Sequence, residues 1–175
     1  MNGWDQKGVS HLTEKEKKWS ASYLHANPDL IQGPPTGVLM GEMPPTLDPD
    51  WRLFPWPSNS IGGRILKAAR IPVEVFLGKL QRINLFSAHC DWDDDQAVER
   101  ASYFHNFQPE GMRVVLCGKR VGLAFGFNKY FSVLTVDGIS YTTIPDEHRE
   151  YTKALARVGT RTALLWATNT LRPIK

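Results

Sequence analysis

Five short stretches of this chain carry side chains able to do chemistry: Gly41-Glu42-Met43-Pro44-Pro45, Phe54-Pro55-Trp56-Pro57, Arg82-Ile83-Asn84-Leu85, Gly118-Lys119-Arg120, and Pro145-Asp146-Glu147-His148-Arg149. A carboxylate such as Glu42 can take a proton from water and stabilise a developing positive charge beside it. His148 can donate a hydrogen bond to negative charge gathering on a leaving group, and Asp146 competes with it for that place. The rings of Trp56 and Phe54 offer π-faces to a planar heterocycle, and such stacking is worth about 1–3 kcal/mol. Asn84 presents an amide donor and acceptor side by side, which suits a ligand edge that does the same. Lys119, Arg120 and Arg149 supply positive charge, the first two at a helix start where backbone N–H groups also favour anions.

Each group has a plainer alternative. Glu42 can cap loop amides, the two rings can close a core, and Asn84 can bond only to neighbouring backbone. His148 can sit exposed in a charged turn. Arg149, Lys153, Arg157 and Arg161 recur every four residues, the spacing of one helix face, which can track phosphates or be simply solvated. His89, Cys90 and Asp91 are contiguous and have no second ligand pair at a suitable spacing, so no metal site is expected.

The elements that must position these groups alternate along the chain. Gly37 to Met40 is a short apolar run typical of buried parallel strands. From Gly41 to Ser60 five prolines exclude helix and central strand and leave a long, stiffened loop, of the kind that usually carries function. Gly62 to Arg70 reads as a helix with Ile65, Leu66 and Ala69 inward, and Gln81 to Ser87 as a second strand. Asp93-Asp94-Asp95 opens a helix running to about Asn106, where acids complement the macrodipole. Met112 to Cys117 is a third strand leading into a short helix. Phe131 to Val136 and Ile139 to Ile144 flank Asp137-Gly138, a strong hairpin signal. A last helix is expected over Tyr151 to Ala167, with Leu155, Val158, Thr162, Leu165 and Trp166 at core spacing. This alternation predicts an α/β fold, a three-layer α/β/α sandwich around a small, mostly parallel sheet. Its ligand site belongs at the carboxyl ends of the strands.

The 175 residues suit one domain, expected over 36–175, preceded by an N-terminal arm and helix over 1–35, where Thr13-Glu14-Lys15-Glu16 forms a capping box. With 42% hydrophobic and 22% charged residues the composition is globular, which argues against wholesale disorder. A net charge of +3 permits an anionic partner without requiring one. Two cysteines are too few for a disulfide framework. No apolar run is long enough for a membrane span and no signal sequence opens the chain, so a soluble, cytoplasmic protein with no membrane partner is expected.

In order and spacing, the stretches from about residue 37 onward resemble the uracil-DNA glycosylase superfamily, with the pattern nearest to its mismatch-specific and family 4-like branches. Gly41-Glu42-Met43-Pro44-Pro45 resembles the Gly-x-x-Pro loop after strand one, whose polar residue positions the attacking water. Phe54-Pro55-Trp56-Pro57 resembles the segment whose ring stacks on the extruded base. Arg82-Ile83-Asn84-Leu85 resembles the strand whose asparagine pairs with the uracil edge. Asn106-Phe107-Gln108-Pro109 through Val114-Val115-Leu116-Cys117-Gly118-Lys119 resembles a conserved stretch of the mismatch-specific branch.

The resemblance implies a DNA glycosylase that flips a uracil or 5-substituted uracil-type base and hydrolyses its N-glycosidic bond, acting as a monomer on DNA with no cofactor. Glu42 and His148 or Asp146 would then be catalytic. Met43, Phe54, Trp56 and Asn84 would meet the base, and Pro44, Pro45, Lys119, Arg120 and Arg149 the DNA strand. The second motif departs from the family: His-Pro-Ser is replaced by Pro145-Asp146-Glu147-His148, and the cysteines of the iron-sulfur branches are missing. That departure leaves two other readings open. One is a base-modifying enzyme on hypermodified viral DNA; the other is a catalytically silent DNA-binding protein of the same fold.

Overall fold

A computed structural model describes residues 36–43, 61–86 and 90–169. The expected N-terminal helix, most of the proline-rich loop with Pro44, Pro45, Phe54 and Trp56, and His89 lie outside the described residues. In chain order the elements are β1 (Gly37–Gly41), α1 (Ile61–Ala69), α2 (Val73–Lys79), β2 (Leu80–Asn84), α3 (Asp94–Asn106), β3 (Arg113–Cys117), α4 (Lys119–Ala124), β4 (Leu134–Val136), β5 (Ile139–Ile144), a 3-10 helix (His148–Thr152) and α5 (Ala154–Ala167).

The strands form one sheet in the order β2-β1-β3-β5-β4, parallel except for β4, which pairs antiparallel with β5. Strand alternation divides the buried side chains between two layers. Leu39, Val115, Cys117 and Ile144 pack with Ile65 and Ala69 of α1, Phe76 and Leu77 of α2, and Ala163, Leu164 and Ala167 of α5. Val38, Met40, Val114, Leu116 and Tyr141 pack on the other side with Ala97 and Ala101 of α3 and Val121 of α4. The molecule is therefore a three-layer α/β/α sandwich with a mostly parallel central sheet.

Several local rules act as the sequence suggests. Asp93 caps α3, its Oδ1 accepting the Gln96 N–H at 2.9 Å. Asp137 and Gly138 both take positive φ, at 53° and 80°, the pair of conformations a two-residue hairpin turn requires.

One helix lies where no element was expected, and another is corrected. Val73–Lys79 is helical and leads straight into β2. Its β-branched and aromatic residues look strand-like, but Pro72 at the N-cap starts a turn of helix whose Phe76 and Leu77 are buried on the sheet. The last helix begins at Ala154, not Tyr151, and it does not bury Leu155 or Val158, which are 77% and 63% exposed. Its inner face is Ala156, Thr160, Ala163, Leu164 and Ala167. Small residues win there because the helix backbone lies against the sheet: a Cβ on Gly37 would collide with the Ala167 carbonyl, and one on Gly159 would meet the Phe131 ring at 2.5 Å. The four-residue basic repeat is accordingly not one helix face. Arg149 lies in the 3-10 helix and Lys153 at the N-cap, leaving Arg157 and Arg161 on α5.

Candidate functional site

The chain leaves β1 to form β2 on one side of it, then crosses back to form β3 on the other. At such a reversal the loops after the two central strands diverge to opposite faces and leave a crevice at the carboxyl ends of the strands. Glu42 is the first residue beyond β1. Its carbonyl accepts the Phe86 N–H at 2.9 Å, and the Gly41 carbonyl accepts that of Leu85 at 2.9 Å. This continuation of the β1–β2 pairing fixes where the carboxylate leaves the sheet.

Across the crevice, β3 ends at Cys117 and Gly118 turns the chain into α4. Gly118 has φ 101°, a conformation strained for any side-chain-bearing residue, and a Cβ there would lie 2.6 Å from Oδ2 of Asp146. Glycine thus admits the Asp146 carboxyl over the end of β3. The Gly118 N–H donates to the Ile144 carbonyl at 2.8 Å, tying the ends of β3 and β5 together. Arg64 of α1 reaches over to donate from Nη2 to the Asp146 carbonyl at 2.7 Å, and the Tyr151 hydroxyl donates to the Pro145 carbonyl at 2.5 Å. The segment after β5 is thereby held from both sides, and with it the direction of Asp146.

Two half-buried carboxylates result, close enough to act on each other. Burial pushes the Glu42 carboxyl above its ordinary value; Arg120 opposes that rise and the Asp146 charge adds to it. Burial also raises Asp146, its own backbone N–H draws it back, Glu147 raises it, and Arg64 and Arg120 lower it. The Cys117 thiol beneath them is fully buried and pushed well up, first by desolvation and then by Asp146 and Glu42. A proton is consequently easier to keep on this pair than on two solvated carboxylates, the condition under which one acts as acid while the other acts as base.

The other residues singled out from sequence are distributed as follows. His148 is exposed at the start of the 3-10 helix, and no contact among the described residues joins it to Glu42 or Asp146. Arg149 is exposed and donates from Nε to Glu147 Oε2 at 2.8 Å. Lys119 and Arg120 are exposed at the start of α4, and Arg120 Nη1 lies 3.4 Å from Glu42 Oε1. Met43 packs against the cluster containing Val38 and Met40, and its sulfur accepts the Cys90 N–H at 3.4 Å.

Asn84 ends β2 opposite Gly41, one residue before Glu42 in the paired strand. It also lines a groove of about 710 Å³ running between β2 and α3, with Gln81, Gln108 and the mutually tilted rings of Tyr103 and Phe107, whose centroids are 4.6 Å apart. The groove's size falls in the range of small-molecule sites.

Sequence reasoning did not find Arg64 as part of this region, and it singled out Gly118 only as a member of the Gly118-Lys119-Arg120 stretch, without the role of admitting Asp146. Among the described residues no group of three His, Cys, Asp or Glu could hold a metal ion, and no helix is long and apolar enough to cross a membrane. No protein-family model, curated protein or solved structure matches this chain.

Proposed function

We propose that this protein hydrolyses the N-glycosidic bond of a uracil-type base in DNA. The observation that carries the proposal is the meeting of Glu42 and Asp146, from the ends of two different strands, at the crevice where an α/β sheet binds ligands. Their order after β1 and β5, with Asn84 at the neighbouring end of β2, also agrees with the motif order from which the glycosylase resemblance was drawn.

The proposed chemistry gives the two carboxyls different protonation states. Glu42 as the anion accepts a proton from a water molecule whose oxygen attacks C1′ of the sugar, and its charge stabilises the oxocarbenium character that develops there. The bond from C1′ to the base nitrogen breaks with its electron pair departing on the base. Asp146, neutral, donates its proton to that departing base, the task for which His148 was the competing candidate. The products are a free base and an abasic sugar, with the proton gained by Glu42 balancing that given up by Asp146. The base must leave the duplex stack to reach this crevice, and in this reading Asn84 would pair with its edge.

The test separates binding from turnover. Glu42→Gln keeps the size of the side chain and removes the base. It should lose base release by about 100-fold or more while retaining affinity for a lesion-bearing oligonucleotide in a gel-shift titration. Loss of affinity in step with turnover would remove the role given to Glu42.

A further inference from the structure

Arg120 is held more firmly than its exposure suggests. Its Nη1 lies 3.4 Å from Glu42 Oε1, and its guanidinium stands over the Trp92 ring, 5.4 Å from the centroid. Trp92 is itself fixed in place. Its Nε1 donates to Asp94 Oδ1 at 2.8 Å, and its ring meets that of the buried Phe86 edge-on at 5.3 Å. On Phe86, in turn, rests the guanidinium of Arg100, 4.9 Å from the centroid. A surface arginine ordinarily loses rotamer freedom on pairing and gains little net stability. A guanidinium lying over the face of an anchored ring has lost part of that freedom already, and the contact still lets its N–H groups point at a carboxylate.

The surroundings of Glu42 give this arrangement a consequence. Arg120 approaches from α4, Asp146 from the segment after β5, and the Cys117 thiol lies at the end of β3. Arg64, the second cation, acts on Asp146 and Cys117 and directs Nη2 to the Asp146 backbone carbonyl, while Arg120 also acts on Asp146, though less than Arg64 does. The ion contact recorded for Arg120 is with Glu42.

We infer that Arg120, held over the face of Trp92, is the positioning residue that favours Glu42 as the anion, the form able to act as a base. Its catalytic meaning rests on the hydrolytic reading above; its electrostatic content does not. Sequence reasoning gave Arg120 a different task, contact with the DNA phosphates, and the two tasks make opposite predictions.

The experiment is a carboxyl titration by NMR on the full chain labelled with 13C-glutamate, with the Glu42 signal assigned by its disappearance in Glu42→Gln. Arg120→Ala should move the Glu42 midpoint upward. Arg120→Lys, which keeps the charge but not the planar group, and Trp92→Leu, which removes the ring beneath it, should move it the same way by less. Arg161→Ala, on the exposed face of α5, should leave it in place. A Glu42 midpoint identical in the native protein and Arg120→Ala would overturn the inference. Where base release is measurable, the acid limb of kcat/KM should shift upward in Arg120→Ala, with about a tenfold loss at its acid end that recovers as pH rises. A uniform loss at all pH values, accompanied by a shallower salt dependence of DNA binding, would instead assign Arg120 to a phosphate. Absence of base release in every variant would remove the glycosylase reading, while the titration would still decide what Arg120 does to Glu42.

Discussion

Two polar clusters lie at opposite ends of the sheet, and they are built to opposite rules. At the amino end of β5, His105 of α3 bridges the Tyr141 hydroxyl, 2.6 Å from Nδ1, and Asp137 Oδ2, 2.9 Å from Nε2. A carboxylate can only accept, so Nε2 donates to Asp137, and Nδ1 shares a hydrogen bond with the tyrosine hydroxyl, which can donate or accept. Every member has a partner of the right kind, although Tyr141 is buried and its hydroxyl is pushed up to about 12, by desolvation first and Asp137 second. At the carboxyl end, the carboxyls of Glu42 and Asp146 share a half-buried crevice, each pushed above its ordinary value first by burial. The first cluster is satisfied and pins α3 to the hairpin. The second keeps an electrostatic conflict that folding alone gives no reason to retain, which is the mark of a group set aside for a ligand.

Substitutions should separate the two ends cleanly. The largest effect is expected at the carboxyl end: Asp146→Asn should lower base release by about 100-fold, whereas His148→Asn, at an exposed position, should change it less than about threefold. Steady-state kinetics on one oligonucleotide compares them directly, and the reverse ranking would return the acid role to histidine.

Next in size is a stability effect without a catalytic one. His105→Ala strands the buried Tyr141 hydroxyl, at a cost of about 1–3 kcal/mol, and each kcal/mol lowers Tm by about 2–4 °C in a protein of this length. Adding Tyr141→Phe should recover part of the loss, because the stranded group is then gone. Thermal unfolding of the single and double variants measures this, and a double variant as weak as the sum of both singles would show that the two side chains do not act as a pair.

The smallest effect runs in the unusual direction. The folded-state pKa of Glu42 is raised above the ordinary 4.5, so its contribution to stability is fully present below that value and is lost as pH rises through the raised one. Glu42→Gln should therefore be more heat-stable than the native chain at neutral pH, by about 1–3 °C. The advantage should vanish below the ordinary glutamate range. A destabilised Glu42→Gln at neutral pH would show that the carboxylate is structurally required after all.

Much of the frame was legible in the sequence because it is set locally. Asp137-Gly138 can make a tight turn whatever surrounds it, Asp93 finds the Gln96 N–H three residues on, and runs such as Val114-Val115-Leu116 suit a strand buried on both faces. What was misread depends on distant neighbours. Leu155 and Val158 have helical spacing, yet Ala163 and Ala167 face the sheet because Gly37 permits the close approach. Val73–Lys79, to which no element was assigned from sequence, becomes a helix through Pro72 and the buried surface beneath Phe76. The site was legible residue by residue and not as an arrangement. Glu42 and Asp146 could be singled out as acids in unusual loops, but the meeting of Arg120 with Glu42 across 78 residues follows from strand order alone. No local signal tells that Arg64 will hold the backbone of Asp146.

The central claim is that the Glu42–Asp146 crevice breaks a glycosidic bond. It is tested most directly by incubating the native chain with oligonucleotides carrying single uracil, hydroxymethyluracil, mismatched thymine or hypoxanthine, then assaying the free base and alkali-labile sites. The account predicts release of a uracil-type base with an abasic site in equal amount, and none from Glu42→Gln. Firm DNA binding with every base intact, or a base altered in mass without an abasic site, would contradict it.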